Sequence, residues 1–185
     1  MIDKVLADAK DRMSKAVEAL RKELATIRTG RAHPGLIEHL RVDYYGAPTP
    51  LNQIATIGVP EPRILTIQPW DRQSLGAIEK AIHKSDLGLN PINDGNIIRL
   101  VIPQLTEERR KELVKVVHKK VEEGRVAVRN VRRDCHEDLR RQQKEKEISE
   151  DAQYRAQEGL QKLTDDFIQE IERVGVEKEA ELLAV

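Results

Sequence analysis

The sequence predicts an α+β protein in which a long three-helix bundle is interrupted by one small inserted α/β domain. All eight prolines lie between Pro34 and Pro103, and seven of the ten glycines lie between Gly30 and Gly95. Because proline inside a helix costs roughly 3 kcal/mol, the two ends of the chain are predicted to be helical and the middle is not. Composition agrees, since 39% of the residues are hydrophobic, 35% are charged and only 3% are aromatic. Long amphipathic helices need aliphatic stripes more than aromatic anchors.

Apolar side chains at spacings of three and four residues predict the helix at the N-terminal end, because such residues share one helical face. They are Ile2, Leu6, Ala9, Met13, Ala16, Leu20, Leu24 and Ile27. One helix that buries a single stripe is unstable alone, so it must pack against others.

Two further helices are predicted after the proline-rich middle. Thr106, followed by Glu107 and Glu108, is typical of an N-cap with acidic residues in the first turn. The stripe that follows is Leu113, Val117, Val121, Gly124, Val128, Val131, Cys135 and Leu139. Ser149 before two acidic residues indicates a new helix start near residue 149. Its stripe is Ala152, Ala156, Leu160, Leu163, Phe167, Ile171 and Val174.

The middle segment predicts a small sheet covered by one helix. Strand-like runs are Leu36–Tyr44, Leu51–Val59, Arg63–Gln68 and Ile97–Ile102. Turns are predicted at 46–48, 60–62 and 93–95, and helical spacing is present in Ser74–Ser85. Since the flanking helices must meet, this domain is an insertion that the chain enters and leaves through two neighbouring segments, which we expect to bend as a hinge.

Residue patterns give little support to catalysis, metal binding or membrane insertion. The chain has no phosphate loop, nucleophile elbow or zinc-protease helix, and its five histidines lack ligand spacing. Successive helical residues point about 100° apart, so residues 135–138 (Cys-His-Glu-Asp) cannot converge on one ion. The single cysteine, Cys135, lies on an apolar stripe and is expected in the core of a protein from a reducing compartment. No apolar run is long enough to cross a bilayer, and the first residues lack a secretion signal, so we expect a cytoplasmic protein.

The neutral total charge conceals a basic helix followed by an acidic one. Residues 109–133 hold ten basic and three acidic residues, whereas residues 147–185 hold four basic and eleven acidic ones. Arg125, Arg129 and Arg132, here called the arginine row, recur at spacings of four and three, to one side of the apolar stripe. Guanidinium groups suit phosphate contacts, so the row predicts binding to the backbone of a folded RNA. The alternative is that these arginines pair with the acidic residues of the following helix as a solvated face.

Six blocks of residues resemble those of bacterial ribosome recycling factors, in the same order and along the whole chain. They are Ile27–Ala32, Tyr44–Gly46 with Pro50–Leu51, Ser85–Pro91, Leu105–Lys111, Val128–Asp134 and Lys146–Asp151. The resemblance implies an L-shaped α+β fold, an elongated antiparallel three-helix bundle with a small inserted β/α/β domain. Its expected bounds are 1–29 and 106–185 for the bundle and 30–105 for the insertion.

The resemblance also implies a function without catalysis and without a cofactor. Such a protein binds the ribosome after termination and, with elongation factor G and GTP, splits it into subunits, releasing mRNA and tRNA. The positions that match candidate contacts to large-subunit rRNA are Arg129, Arg132, Arg28, Asn130, Arg31 and Arg133. The expected hinge residues are Thr29, Gly30, Arg31, Gln104, Leu105 and Thr106. The small domain is expected to meet elongation factor G, and the protein is expected to be a monomer that binds neither DNA nor membranes.

Two other classes of function stay open at this point. A structural coiled-coil protein would use its stripes to form a dimer, and its behaviour would be insensitive to salt. A general RNA chaperone would bind unstructured RNA nearly as well as ribosomes. Phosphate contacts to rRNA would instead weaken as salt rises, because binding releases counterions.

Overall fold

The computed structural model describes residues 2–184, and within this range it contains four α-helices and six β-strands, which confirms the α+β class. The helices are α1 (Ile2–Ala25), α2 (Leu75–Lys84), α3 (Glu107–Lys144) and α4 (Glu150–Leu183). The strands are β1 (Arg41–Tyr44), β2 (Ala47–Pro50), β3 (Ala55–Glu61), β4 (Ile64–Pro69), β5 (Pro91–Asn93) and β6 (Ile98–Val101).

The chain divides into two compact units. The bundle unit comprises the residues up to Leu24 and those from Lys111 onward, and the small unit is Ala25–Arg110. These divisions lie five residues from the expected domain boundaries at 29/30 and 105/106. Helix α1 ends before Ile27, which was expected on its stripe, because Thr26, Ile27 and Thr29 are poor helix formers and Gly30 follows them.

The directions of the three long helices follow from the ion pairs between them. In the contact of α1 with α3, Arg12 Nη2 lies 2.8 Å from Asp134 Oδ2 and Lys120 Nζ lies 3.4 Å from Glu23 Oε2. One partner's number rises as the other falls, so α1 and α3 are antiparallel. The same holds for α3 and α4, where Arg125 forms an ion pair with Glu172 and His118 Nε2 lies 3.1 Å from Glu179 Oε2. Helices α1 and α4 are therefore parallel.

The buried faces of these helices confirm the predicted α3 stripe in full and the α1 and α4 stripes in part, since Val17 is buried where Ala16 was predicted and Thr164 where Leu163 was predicted. Helix α1 buries Ala9, Met13, Val17, Leu20 and Leu24. Helix α3 buries every residue of its predicted stripe and adds Gln142. Both predicted N-caps are present, since Thr106 Oγ1 accepts from Arg109 N at 3.0 Å and Ser149 Oγ accepts from Ala152 N at 3.1 Å. The stripes pack on one another within a single chain, so the bundle needs no second copy to bury them.

Two glycines set the close approach of α3 and α4. A Cβ atom placed on Gly124 would lie 3.0 Å from Ile171 Cδ1, and one on Gly175 would lie 2.5 Å from Val121 Cγ2. Gly124 lies on the predicted α3 stripe, whereas Gly175 is buried one residue beyond the last residue predicted for the α4 stripe. Val121 is β-branched and cannot turn away freely, so Gly175 is required by packing.

We expect Gly175→Ala and Gly159→Ala, two identical changes in α4, to have opposite effects on stability. At Gly159 the nearest atom to an added Cβ is Leu6 Cδ1 at 3.8 Å, an ordinary contact. Gly159→Ala should raise the free energy of unfolding by about 0.5–1 kcal/mol through helix propensity. Gly175→Ala gains the same but overpacks the α3–α4 contact, so a net loss of about 1–2 kcal/mol is expected. Urea denaturation followed by circular dichroism measures both, and equal effects would contradict the packing argument.

The small unit has its own hydrophobic core between a four-stranded antiparallel sheet, in the order β3-β4-β6-β5, and α2. Leu65 and Ile67 of β4 lie directly opposite Leu100 and Ile98 of β6 in the ladder, and all four are fully buried. Strands β1 and β2 form a separate two-stranded sheet. Helix α2 confirms the helix predicted within Ser74–Ser85.

Several predicted strand boundaries in the small unit were wrong, and proline is the common cause. Residues 46–48 and 60–62 were assigned to turns, yet β2 begins at Ala47 and β3 runs to Glu61. Strand β3 is at the edge of its sheet and shifts register between Gly58 and Glu61, so Pro60 costs it no ladder hydrogen bond. Strand β5, which begins with Pro91 at the other edge, was missed for the same reason. The run predicted as a strand from Leu36 instead begins in a 3-10 turn, Pro34–Leu36, which His33 caps.

Candidate RNA-binding surface

The arginine row lies on the middle of α3, whose 38 residues extend for roughly 57 Å at 1.5 Å per residue. At 100° per residue, Arg125, Arg129 and Arg132 lie about 80°, 120° and 60° from the centre of the buried stripe. All three therefore flank the core on the side on which α3 meets α4. Arg129 is the most exposed of them, and Arg125 and Arg132 are half-buried.

Arg125 belongs to the bundle rather than to a free surface. Its Nη1 donates to Glu122 Oε2 at 2.7 Å, and its Nε donates to Glu172 Oε1 of α4 at 3.2 Å. The hydrogen bond to Glu122, opposed in part by burial, raises the pKa of the guanidinium. The alternative drawn from the sequence was that the row pairs with the acidic helix. Arg125 fits this alternative.

Arg129 and Arg132 differ from Arg125 in this respect. Within residues 2–184, neither guanidinium makes a side-chain hydrogen bond or an ion pair. Two cations on a rigid helix, without acidic partners of their own, are available to an outside anion such as a phosphate. The row thus contains one arginine that stabilises the bundle, Arg125, and two, Arg129 and Arg132, whose N–H donors have no partner among the described residues.

The neighbours Asn130 and Arg133 extend this surface unequally. Both are exposed and lack a side-chain partner in the described part of the chain. Arg133 lies one turn after Arg129 and about 40° round the helix from it, whereas Asn130 lies about 100° beyond Arg129. Arg129, Arg132 and Arg133 therefore form one cluster of three guanidinium groups, here called the open arginine cluster, and Asn130 lies at its margin.

The other two predicted RNA contacts, Arg28 and Arg31, belong to the small unit. Arg28 is half-buried, and its Nη2 would lie 3.7 Å from a Cβ atom placed on Gly88, so its guanidinium covers that glycine. Arg31 is exposed. The predicted contacts are thus shared between the two compact units.

The segments that contain the expected hinge residues run side by side within the small unit. Gly30 has a φ of 83°, and a Cβ atom placed on it would lie 3.6 Å from Leu105 N and 3.9 Å from Gln104 Cα. A positive φ favours glycine, so this position tolerates few substitutions. Thr106 is the N-cap of α3 and therefore has its own local role.

The residues just inside these segments are tied to the turn between β3 and β4. Ala32 N donates to Pro62 O at 2.6 Å, and Ile102 N donates to Arg63 O at 2.7 Å. Arg63 Nε returns a bond to Ile102 O at 3.0 Å. These hydrogen bonds hold Ala32 and Ile102 against the β3–β4 turn. Residues 26–31 precede the first of these attachment points, and residues 103–106 follow the second.

Three further features of the described residues concern metal binding, the reactivity of the single thiol and membrane insertion. No group of three or more His, Cys, Asp or Glu side chains among residues 2–184 is placed to hold a metal ion. Cys135 is 1% exposed, and burial raises the pKa of its thiol, which keeps it protonated. Over the same range, no helix is both long and apolar enough to span a membrane.

Comparison with known proteins gives full-length matches. The chain is 58% identical to the ribosome-recycling factor of Syntrophomonas wolfei and 59% identical to that of Heliobacterium modesticaldum, with all 185 residues and the whole of each relative aligned. A solution structure of the ribosome recycling factor shares 47% identity with a TM-score of 0.80, covering 100% of this chain and 98% of that one.

A second solved structure places a relative in a larger assembly. It describes the T. thermophilus ribosome recycling factor and the E. coli elongation factor G bound to the E. coli post-termination complex. That factor is 49% identical to this chain, with a TM-score of 0.70 and complete coverage of both chains. The ribosome recycling factor family model matches residues 20–183. These matches show that the chain belongs to the ribosome recycling factor family, a family of translation factors that are not enzymes.

Proposed function

We propose that this protein binds the ribosome after termination and, with elongation factor G and GTP, splits it into subunits and releases mRNA and tRNA. The observation that carries the proposal is the sequence identity of 58–59% to ribosome-recycling factors over the full length of the chain. The relative found with elongation factor G on a post-termination complex supports it. The protein acts in the cytoplasm as a monomer, by binding and movement, and it needs no cofactor.

The bundle unit is the part that holds rRNA in this proposal. The open arginine cluster supports it, because guanidinium groups without acidic partners can form forked hydrogen bonds with phosphate oxygens without first breaking an ion pair inside the protein. Arg129 and Arg132 are the main contacts, Arg133 and Asn130 assist from the same helix, and Arg28 and Arg31 contribute from the small unit. Aromatic side chains are absent from α3, so backbone contact is favoured over stacking on bases.

The small unit is the part that elongation factor G displaces. A bundle held on rRNA acts as a stiff arm, and the two segments at 26–31 and 103–106 act as a pivot. Their position supports this role, since both lie outside the bonds that fasten Ala32 and Ile102 to the β3–β4 turn. Thr29, Gly30 and Arg31 lie in the first segment, and Gln104, Leu105 and Thr106 lie in the second.

The direct test uses purified post-termination ribosomes and omits one component at a time. With this protein, elongation factor G and GTP all present, we expect light scattering to report conversion of ribosomes into subunits. Omission of any one component should leave the ribosomes intact, and a non-hydrolysable GTP analogue should do the same. Splitting that proceeds without this protein, or that fails in the complete mixture, would contradict the proposal. Equally strong binding to unstructured RNA would favour a general RNA chaperone instead.

A further inference from the structure

The hairpin of β1 and β2 has an outer edge, along β1, that is free to pair with a further strand. In an antiparallel pair, successive residues point their backbone N–H and C=O groups alternately toward the partner strand and away from it. Leu40 O accepts from Leu51 N at 2.9 Å, so Leu40 points toward β2. The ladder continues in the same register through β1 to Tyr44. The backbone groups of Arg41 and Asp43 therefore point away from β2.

The other outer edge of the hairpin, along β2, is blocked. Its outward positions hold Pro48 and Pro50, which have no N–H group to donate. Proline at such positions protects a sheet edge against further pairing. On β1, by contrast, the outward N–H and C=O groups of Arg41 and Asp43 have no backbone partner among residues 2–184. Free N–H donors are thus present along the β1 edge and absent from the outward positions of β2.

A groove runs beside this open edge, between β1 and α2. Its volume of about 720 Å³ lies in the range of ligand-binding pockets. On α2 its wall includes the small residues Gly76, Ala77 and Ala81. A Cβ atom placed on Gly76 would meet no heavy atom within 4 Å, so the groove is open at that point. A chain lying along β1 would therefore have room for its side chains on the side of α2.

Charges around the groove indicate the chemistry of the segment that it would bind. Arg41 on β1 and Lys80 and Lys84 on α2 line the groove, are exposed and form no ion pair within residues 2–184. Asp43 is the one acidic residue among the described residues of the lining. Its carboxylate is already engaged, because its Oδ1 accepts from Gly46 N at 2.9 Å. Three cations without acidic partners would therefore attract a segment that carries carboxylates.

A protein segment suits this groove better than a nucleic acid does. The outward carbonyl oxygens of β1 and the Asp43 carboxylate would repel phosphates, whereas the N–H groups of a peptide can donate to those carbonyls. The described lining includes the apolar side chains of Leu40, Ala77 and Ala81, but no aromatic ring on which a base could stack. When a peptide adds to a sheet edge, main-chain hydrogen bonds supply affinity and side-chain contacts supply specificity.

We propose that an extended, acidic segment of a partner protein adds to the open edge of β1 as a further strand. The segment accepts hydrogen bonds from the N–H groups of Arg41 and Asp43 and donates to their carbonyl oxygens. Its carboxylates lie against Lys80 and Lys84 of α2. The site lies within the small unit and shares no residue with the open arginine cluster, so this inference goes beyond the proposed function and does not depend on it.

The test is an NMR titration of the full-length protein with a peptide of about eight residues, blocked at both ends, in which glutamate and valine alternate. We expect saturable binding that shifts the amide signals of Arg41 and Asp43 and slows the hydrogen exchange of both amides at least tenfold. A peptide of the same length in which lysine and valine alternate is the charge control and should not bind. If the acidic peptide produces no saturable shift at these two amides, the docking site is overturned.

Methylation of the peptide nitrogens separates strand addition from simple charge attraction. In an added strand only every second N–H group faces β1. Methylation of the valine nitrogens and methylation of the glutamate nitrogens therefore give two matched peptides with the same charge. One of the two should bind at least tenfold more weakly than the unmodified peptide, and the other should bind nearly as well. Equal affinities of the two methylated peptides would contradict pairing with β1.

The basic side of the groove is tested with Lys80→Glu and Lys84→Glu together. We expect the affinity for the acidic peptide to fall at least tenfold, while thermal melts stay unchanged because both side chains are exposed. Arg155→Glu with Lys162→Glu, on α4, is the matched control, because it changes the net charge by the same amount. Equal losses in the two double variants would mean that net charge alone attracts the peptide, which overturns the site. A uridine oligonucleotide that shifts the two outward β1 amides as strongly as the peptide would assign the groove to RNA, which also overturns it.

Discussion

Reversal of two charges in the open arginine cluster, Arg129→Glu with Arg132→Glu, is expected to abolish measurable binding to large ribosomal subunits. Each hydrogen bond between charged groups contributes about 1.5–3 kcal/mol, so removing two predicts a loss of about 3–6 kcal/mol, or more than 100-fold in affinity. Both guanidinium groups lack partners among residues 2–184, so the bundle itself should keep its stability within about 0.5 kcal/mol. Equilibrium binding to purified large subunits and thermal melts measure the two quantities.

The matched control is Arg155→Glu with Lys162→Glu on α4. These two cations are also exposed and without partners in the described part of the chain, and their reversal changes the net charge by the same amount. If binding depends on the net charge alone, both double variants should lose affinity equally, which would contradict a specific contact. For single changes to alanine, the slope of log affinity against log salt should fall by about 0.7–0.9 for each phosphate that the variant no longer neutralises.

Arg125 provides a second internal comparison. Its guanidinium is already hydrogen-bonded to Glu122 and Glu172, so Arg125→Gln should lower the stability of the bundle more than the affinity for RNA. Partly exposed ion pairs contribute about 0–1 kcal/mol each, which sets the expected loss of stability. Large-subunit affinity that falls as far for Arg125→Gln as for Arg129→Gln would mean that the whole row binds RNA.

The sequence was a good guide where structure is decided locally. The α3 stripe from Leu113 to Leu139 was predicted in full, because spacings of three and four fix one helical face whatever the partner helix is. Strands that contain Pro48 or Pro60 were misassigned, because whether a proline is tolerated depends on its lying at a sheet edge, which is a property of the tertiary fold.

The candidate site shows the same division between local and tertiary information. The arginine row and its side of α3 could be read from spacing alone. The separation of Arg125 from Arg129 and Arg132 depends on the register of α4, which places Glu172 opposite Arg125 and leaves the other two open. Likewise, no local pattern indicates that the outer edge of β1 lies beside α2, since the two are brought together only in the folded small unit.

The second large effect is expected from Leu139→Ala in the core of the bundle unit. Leu139 is fully buried on α3, one turn after Cys135, and its truncation should cost about 2–5 kcal/mol. Cys135 is the only cysteine and is 1% exposed, so alkylation of its thiol reports the opening of the bundle. When the bundle opens and closes faster than the open thiol reacts, the alkylation rate is proportional to the open fraction. A loss of this size in the free energy of unfolding then accelerates alkylation by more than about 20-fold. Leu183→Ala, at a residue that is 56% exposed, is the control and should leave the rate nearly unchanged.

The informative part of this experiment is the response of the other unit. The small unit has its own core, which includes Leu65 and Leu100 on paired strands, so it should remain folded when the bundle opens. Hydrogen exchange of the β4 and β6 amides should therefore not respond to Leu139→Ala. The reciprocal change, Leu65→Ala, should speed exchange in those strands and leave Cys135 protected. Two units that unfold separately are what a pivot between them requires, because each must keep its shape while the other moves. If either substitution accelerates both reporters equally, the chain unfolds as one cooperative body, and the proposed movement of one unit against the other loses its physical basis.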